Sequence, residues 1–432
     1  MNILMIGNGF DLEHNLPTSY ADFLDFCKSI RRLYAPSAIM NKKMYHDEIL
    51  KEWKTDAHIK KILLAAFDKR YSEADAAKDA QDDTGIRTGI KEIDELYSYV
   101  KFNTWLEYFE DCRLRLGQNW IDFETEISRV IQALDAAKFQ LSCGGSLTAI
   151  EEEQQKALMD VLKAGRGSLQ TAYGNKKAIS KFANFLNKEL DKLIRALEIY
   201  LSYFINNIPA TDVSADISML DIDAVLSFNY TDTYARIYGS KKNVQYDHIH
   251  GKAETNKTVE SCNIVLGIDE YLDDEQKSTD LDFLTFKKYY QRIYKSTGNK
   301  YLAWADEIKD EYEEYQRRKT CVLEGRYDGL GNLPWQKSAY IDMSRIEMKQ
   351  HTVYIFGHSL DITDRDILKL FICNDNVQTK IYYHRKNEED KSALGKIIKN
   401  LVKIMGPDEL IRRTGGVHKT IEFIPQQLKK AP

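Results

Sequence analysis

Near its C-terminal end the chain alternates short apolar runs with helical stretches: TVYIFG (352–357), a helical pattern from about Asp364, KIYYH (380–384), a second helical pattern from about Lys391, and TIEFI (420–424). A helix between two strands implies parallel pairing, because an antiparallel pair closes with a short turn whereas a parallel pair needs a long crossover. The same kind of run opens the chain. NILMI (2–6) is continuously apolar and stopped by Gly7, the pattern of a strand buried on both faces of a sheet. Further strand-like runs stand at DAVLSF (223–228), VQYDHIH (244–250) and NIVLGI (263–268). The expected fold class is therefore α/β: a Rossmann-like, doubly wound, mainly parallel sheet with large α-helical insertions.

The rest of the chain supplies those insertions. From Ser19 to about Ser202 the periodicity is helical, interrupted by a polar loop at EADAAKDAQDDTG (73–85) and a glycine-rich one at SCGGS (142–146). A second helical stretch, with charges alternating as on a solvated face, runs from about Asp280 to Glu324. The expected organisation is residues 1–28 as first strand and nucleotide-binding loop, 29–214 as helical insertion, 215–270 as core continued, 271–344 as second helical insertion, and 345–432 as the C-terminal part of the core.

Composition narrows the function classes. A formal net charge of -5 gives no pull toward nucleic acid or an anionic membrane. No apolar run approaches a membrane span or a signal-peptide core, so a cytoplasmic location is expected. The six cysteines are widely separated with no C-x-x-C pair, which predicts reduced thiols, no zinc-ribbon site and no metal.

Chemistry concentrates where strands end. In open parallel sheets ligands bind at the carboxyl ends of the strands. IGNGFD occupies such an end: Gly7 and Gly9 allow a tight turn and close ligand approach, and Asp11 is placed at the mouth. The motif is not a complete dinucleotide fingerprint, since Leu12 stands where the third glycine belongs, and alone it is equally a plain strand–helix turn. Two further segments add to it. LSFNYTD puts Asn229 and Asp232 just past one strand, and HIHG puts His250 at the end of the next. A carboxamide can hold a water or a sugar hydroxyl, and an imidazole can take a proton near neutral pH. His248 reads as a packing histidine. FGHSLDITDRDIL gives a fourth strand end, with Gly357, Ser359 and Asp361 where a phosphate or ribose could be met, while Asp361, Asp364 and Asp366 read as acids capping the following helix.

These blocks resemble a known family. IGNGFDLEHNLPTSYADF closely resembles the opening signature of the AbiH-like bacterial abortive-infection proteins, and NWIDFE (119–124), SFNYTDTY, HIHGK and FGHSLDITDRDIL are similar to its remaining blocks. More distantly, the series G-x-G, then an Asn loop, His-Gly and G-x-S-L resembles the NAD-binding core of sirtuins and their NAD-hydrolysing relatives in phage defence. That likeness implies a sirtuin-like fold and NAD as substrate or ligand. It places Gly7, Asn8, Gly9, Phe10, Gly357, His358, Ser359 and Asp361 around the nucleotide, with Asp11, Asn229 and His250 as catalytic residues and His250 as general base. The sequence departs from sirtuins at Asn8 and Asp11, and it lacks the paired-cysteine zinc module, which speaks against deacetylation.

Three functions follow as expectations. The first is cleavage of the N-glycosidic bond of NAD or a related nucleotide. The second is a nucleotide-binding sensor without turnover, and the third a nuclease acting on RNA, for which Asp361, Asp364 and Asp366 are the available carboxylates. The expected partners are a nucleotide, a phage or host protein as trigger, and a second copy of the chain, with neither membrane nor nucleic acid.

Overall fold

The computed structural model describes residues 1–34, 44, 46–47, 57–80, 87–117, 122–165, 176–209, 213–239, 243–269, 281–323 and 347–427. Asn119 to Ile121 of the NWIDFE block, the 81–85 end of the first polar loop and much of 271–344 lie outside the described residues.

The chain starts with β1 (Asn2–Ile6), α1 (Asn8–Glu13) and α2 (Tyr20–Leu33), then α3 (Ala57–Ala80), α4 (Lys91–Val100), α5 (Thr104–Leu116), α6 (Phe123–Ser142), α7 (Glu152–Ala164) and α8 (Lys176–Ile199). It continues through α9 (Ala215–Ser218), β2 (Ala224–Ser227), α10 (Thr233–Tyr238), β3 (Gln245–His248), α11 (Lys288–Tyr294) and α12 (Lys300–Leu323). It closes with β4 (His351–Phe356), α13 (Arg365–Ile372), β5 (Val377–Tyr383), α14 (Ser392–Met405), α15 (Pro407–Thr414) and β6 (Ile421–Pro425). The strands form one six-stranded sheet in the order β3-β2-β1-β4-β5-β6, every neighbouring pair parallel. This is the doubly wound, Rossmann-like order, and its direction reverses between β1 and β4.

Strand alternation explains the continuous apolar runs. Ile3 and Met5 of β1 face a core closed by Trp304, Leu368 and Leu401, while Leu4 and Ile6 face Phe10, Tyr234 and Tyr238. Both faces are therefore covered. A separate helical core packs α2 against the helices up to α8, around Phe23, Trp105, Phe123 and Tyr200. The N-terminus of α2 carries the expected cap: Ser19 Oγ accepts from the Asp22 amide at 3.1 Å, and the Asp22 carboxylate accepts from the Ser19 amide at 3.0 Å.

Two expectations are corrected. The polar stretch from Glu73 to Ala80 belongs to α3, not to a loop; its alanines and alternating charges suit a helix as well as a linker. NIVLGI is not a strand of the sheet either. Its buried backbone is served by other groups: the Val265 amide donates to the His250 carbonyl (2.9 Å), the Leu266 amide to Gln291 Oε1 (3.0 Å), and Lys295 Nζ donates to the Ile264 carbonyl (2.7 Å). Buried and apolar, it reads like a strand, but side chains complete its hydrogen bonding. The described cysteines Cys27, Cys112, Cys143, Cys262 and Cys373 are free.

Candidate functional site

A cavity of about 760 Å³ lies between the carboxyl edge of the sheet and the helical core. Gly7, Asn8, Gly9 and Asp11 enter it from the turn after β1, Asn229 from the loop after β2, His250 from the loop after β3, and Gly357, His358, Ser359 and Asp361 from the loop after β4. These segments meet because they leave adjacent parallel strands at the same end.

The glycines are needed by one another. A Cβ on Gly7 would lie 2.7 Å from His358 Cα, and one on Gly9 would lie 2.8 Å from Gly357 Cα. Neither residue has a positive φ, so close backbone approach, not a special turn angle, requires them. The approach expected of a ligand is made by the chain itself. Phe10 does not line the cavity: it packs edge-on against Phe356 at 5.8 Å and beside Tyr234 and Tyr238 in the core, as its place on the apolar side of the short α1 dictates.

Asp11 is not at a mouth. It is 1% exposed, one oxygen accepting from Thr231 Oγ1 at 2.7 Å and the other, Oδ1, having no protein partner. Burial pushes its carboxyl up to about 6, against the opposing pull of the Thr231 hydrogen bond and of the nearby Thr233 hydroxyl and Asn229 amide. The Asn229 amide nitrogen donates to the Gly7 carbonyl at 2.9 Å, tying the β2 loop to the β1 turn. His248 lies outside the cavity lining, with Nδ1 3.2 Å from the Asn229 carbonyl.

His250 is also buried, 6% exposed, beyond the end of β3. Its Nε2 lies 3.3 Å from Asp364 Oδ1, and His358 Nε2 lies 3.3 Å from Asp364 Oδ2, so one carboxylate joins two imidazoles. The tautomer of His358 follows from its neighbours. Leu360, held at φ 53°, donates its amide to His358 Nδ1 at 2.9 Å, which leaves the proton on Nε2 facing Asp364. Burial pulls the His250 imidazole below its ordinary value, outweighing the hydrogen bond that it donates to Asp364. Burial alone would raise Asp364, but its two histidine partners and the Lys288 charge hold it well below the usual carboxylate range. The outcome is an ionised Asp364 accepting from a neutral His250, whose Nδ1 is then a bare acceptor, buried and without a protein partner.

Asp364 is not the cap that its position predicts. It stands at the N-cap position of α13 but makes no side-chain cap bond, because its oxygens are taken by the histidines. Asp361 does cap, accepting from the Thr363 amide at 3.3 Å, and Asp366 is exposed. Ser359 is exposed at the rim, its carbonyl accepting from Asn400. Asn8 Oδ1 accepts from Thr18 Oγ1 at 2.8 Å.

The helical insertions add residues that the motifs did not indicate. Asp122 caps α6 by accepting from the Glu124 amide at 3.0 Å, which places Glu124 in the first turn, at the cavity. Glu124 pairs at 2.7 Å with Lys288, the first residue of α11. The Ile268 amide donates to the Phe286 carbonyl and the Lys288 amide to the Ile268 carbonyl, both at 2.8 Å, and this brings Asp269 into the cavity wall with Lys288. Burial raises Glu124 to about 7 and Asp269 to about 6, with Lys288 opposing in both cases. The only sequence signal for Glu124 was its place in the NWIDFE block; Lys288 and Asp269 carried none. Among the described residues no group of three or more His, Cys, Asp or Glu is arranged to hold a metal ion.

A family model described as bacteriophage abortive infection AbiH matches residues 3–384, nearly the whole chain, and the match spans every strand-end block of the cavity. The chain belongs to the AbiH family. No curated protein and no solved structure matches it. For this AbiH-family protein, no described helix is long and apolar enough to cross a membrane.

Proposed function

We propose that this AbiH-family protein cleaves the N-glycosidic bond of NAD or a related nucleotide, and that loss of the nucleotide arrests the infected cell. One observation carries the reading: two buried acceptors without protein partners, Asp11 Oδ1 and His250 Nδ1, belong to residues lining the same cavity. Buried polar atoms are normally satisfied, and a substrate hydroxyl and a water would satisfy these two.

The water oxygen bonds to C1′ of the ribose while the C1′–N electron pair leaves with the base, which for NAD departs as neutral nicotinamide. The water proton passes to His250 Nδ1, and Asp364 stabilises the imidazolium that forms. The Asp11 carboxylate lies where it would offset positive charge developing on the sugar. Asn229 keeps the loops in register through Gly7. A volume of about 760 Å³ suits a nucleotide-sized ligand. The lining is richer in acids (Asp11, Asp122, Glu124, Asp269, Asp361 and Asp364) than in the cations Arg129 and Lys288, which favours a cationic pyridinium half. The sirtuin-type likeness supports His250 as base.

A binding-only sensor is favoured by the internal use of Asn229, whose amide nitrogen is spent on the chain itself. The nuclease reading loses the acid trio it rested on, since Asp361 and Asp364 are engaged as described and Asp366 is exposed.

The test is NAD content in phage-infected cells expressing wild-type or His250→Gln protein. The expected result is NAD loss and protection with wild type and neither with the variant. Protection with unchanged NAD would replace cleavage by the sensor reading.

A further inference from the structure

A second cavity, of about 440 Å³, lies against the loops that form the first. It is lined by Ser202, Asn206, Asp232 and Lys252, among others. Three side-chain oxygens in it are buried without a protein partner: Ser202 Oγ, Asn206 Oδ1 and Asp232 Oδ1. Ser202 as a whole is 6% exposed.

Two of these residues, Ser202 and Asp232, are placed in a way that packing or capping does not explain. Ser202 lies in a π-helical turn, Tyr200–Phe204, which continues α8; such turns re-aim side chains and are frequent at functional sites. Asp232 occupies the N-cap position of α10, yet its side chain makes no cap bond. Its other oxygen, Oδ2, pairs with Lys252 Nζ at 3.2 Å. Lys257, also in the lining, pairs with Glu254 at 3.0 Å. Both lysines are thus already engaged, and the unused groups are acceptors. A buried acceptor left unpaired is costly, so a ligand rich in N–H donors is what this cavity would stabilise.

We infer that the second cavity binds a small molecule with a guanidinium or primary ammonium head, held by Asp232 Oδ1, Asn206 Oδ1 and Ser202 Oγ. The position makes it a regulatory site. Asp232 follows Asn229, Tyr230 and Thr231 of the first cavity, and Lys252 follows His250 at two residues' distance. The two loops are joined by the Asp232–Lys252 pair and by the Ala253 amide donating to the Tyr230 carbonyl at 2.8 Å. A cation on Asp232 competes with Lys252 for the same carboxylate and so bears on the loop that carries His250. Binding itself does not depend on NAD cleavage; its regulatory consequence rests on that reading.

Isothermal titration of the purified full-length chain with agmatine, which carries both heads, tests the site, with succinate as the anionic control. Agmatine is expected to bind and succinate not to bind. Asn206→Asp adds a negative charge among the acceptors and should tighten agmatine binding, while Asn206→Leu should weaken it at least about tenfold. Ser202→Ala, a change small enough to retain the fold, should also weaken it. His250→Gln should leave binding intact, which separates this site from the first cavity. Absence of agmatine binding to the folded wild type, or an affinity indifferent to all three substitutions at Asn206 and Ser202, overturns the inference.

Discussion

Gly9 and Gly357 touch backbone to backbone: the Gly9 amide donates to the Gly357 carbonyl at 2.8 Å, and a Cβ on Gly357 would lie 2.1 Å from the Phe10 nitrogen. The contact joins the turns after β1 and β4, where the order of strand addition reverses. Gly357 also has φ 67°, in the left-handed region. Gly357→Ala therefore adds a methyl group where backbone already stands and a left-handed cost of roughly 1–2 kcal/mol. The expected loss of stability is at least about 2 kcal/mol, read as a lower urea midpoint. An unchanged midpoint would mean that the two turns are not in contact.

Asp11 should set function against stability. Its folded-state value of about 6 lies above the ordinary 3.8 because burial disfavours the charge. Between those values the folded chain holds the extra proton, so the stability contribution falls as pH rises from about 4 through about 6. Asp11→Asn keeps an acceptor for Thr231 and removes the ionisation. Relative to wild type it should be more stable by on the order of 2–3 kcal/mol near pH 8, with the gap closing near pH 4. Turnover should be lost. Urea midpoints at the two pH values measure the first effect, and a pH-independent gap would show that the carboxyl does not titrate as a buried group.

Asp364→Asn should act through a tautomer. A carboxylate accepts from both imidazoles, whereas a carboxamide accepts on one side and donates on the other. His358 is fixed as a donor by the Leu360 amide at its Nδ1, so the amide oxygen must serve His358 and the NH₂ must face His250 Nε2. His250 then carries its proton on Nδ1, the atom proposed to accept one. The rate should fall on the order of 10²–10⁴-fold with the fold retained. Nitrogen chemical shifts of the His250 ring provide the direct readout. A His250 still protonated on Nε2 in the variant would contradict this arrangement.

The sheet was readable because burial on both faces leaves an unmistakable apolar run, as in Asn2–Ile6 and His351–Phe356. NIVLGI shows where that signal stops. Apolar character reports burial, but it does not report whether the backbone partner is a strand or the side chains of Gln291 and Lys295. The strand-end residues Asp11, Asn229 and His250 could be found by position alone, since parallel strands bring their carboxyl ends together. Their exposure could not, because Asp11 and His250 are engaged by Thr231 and Asp364 from loops distant in sequence. Asp364 looked like a cap because caps and ligands of a histidine use the same residue. Lys288 and Asp269 had no signal: they come together through a backbone ladder between residues 268 and 288 that no periodicity records.

The helical layer can be tested at its own contact with the site. Lys288, 8% exposed in its side chain, pairs with Glu124 across the cavity, and Asp269 and Asp364 add further negative charge around it. Lys288→Met leaves those carboxylates without their cation and should cost about 3–5 kcal/mol, as expected when one partner of a buried pair is removed. Glu124→Gln should cost less, because Lys288 keeps the attraction of Asp269 and Asp364. In the double variant the two losses should not add. An interaction of about 1–3 kcal/mol is expected from the cycle of urea midpoints. Near pH 5 the interaction should shrink, since Glu124, raised to about 7 by burial even against the pull of Lys288, is then largely protonated with Lys288 in place. Additive losses at both pH values would show that Glu124 and Lys288 do not sense each other, and that the two insertions do not meet at this cavity.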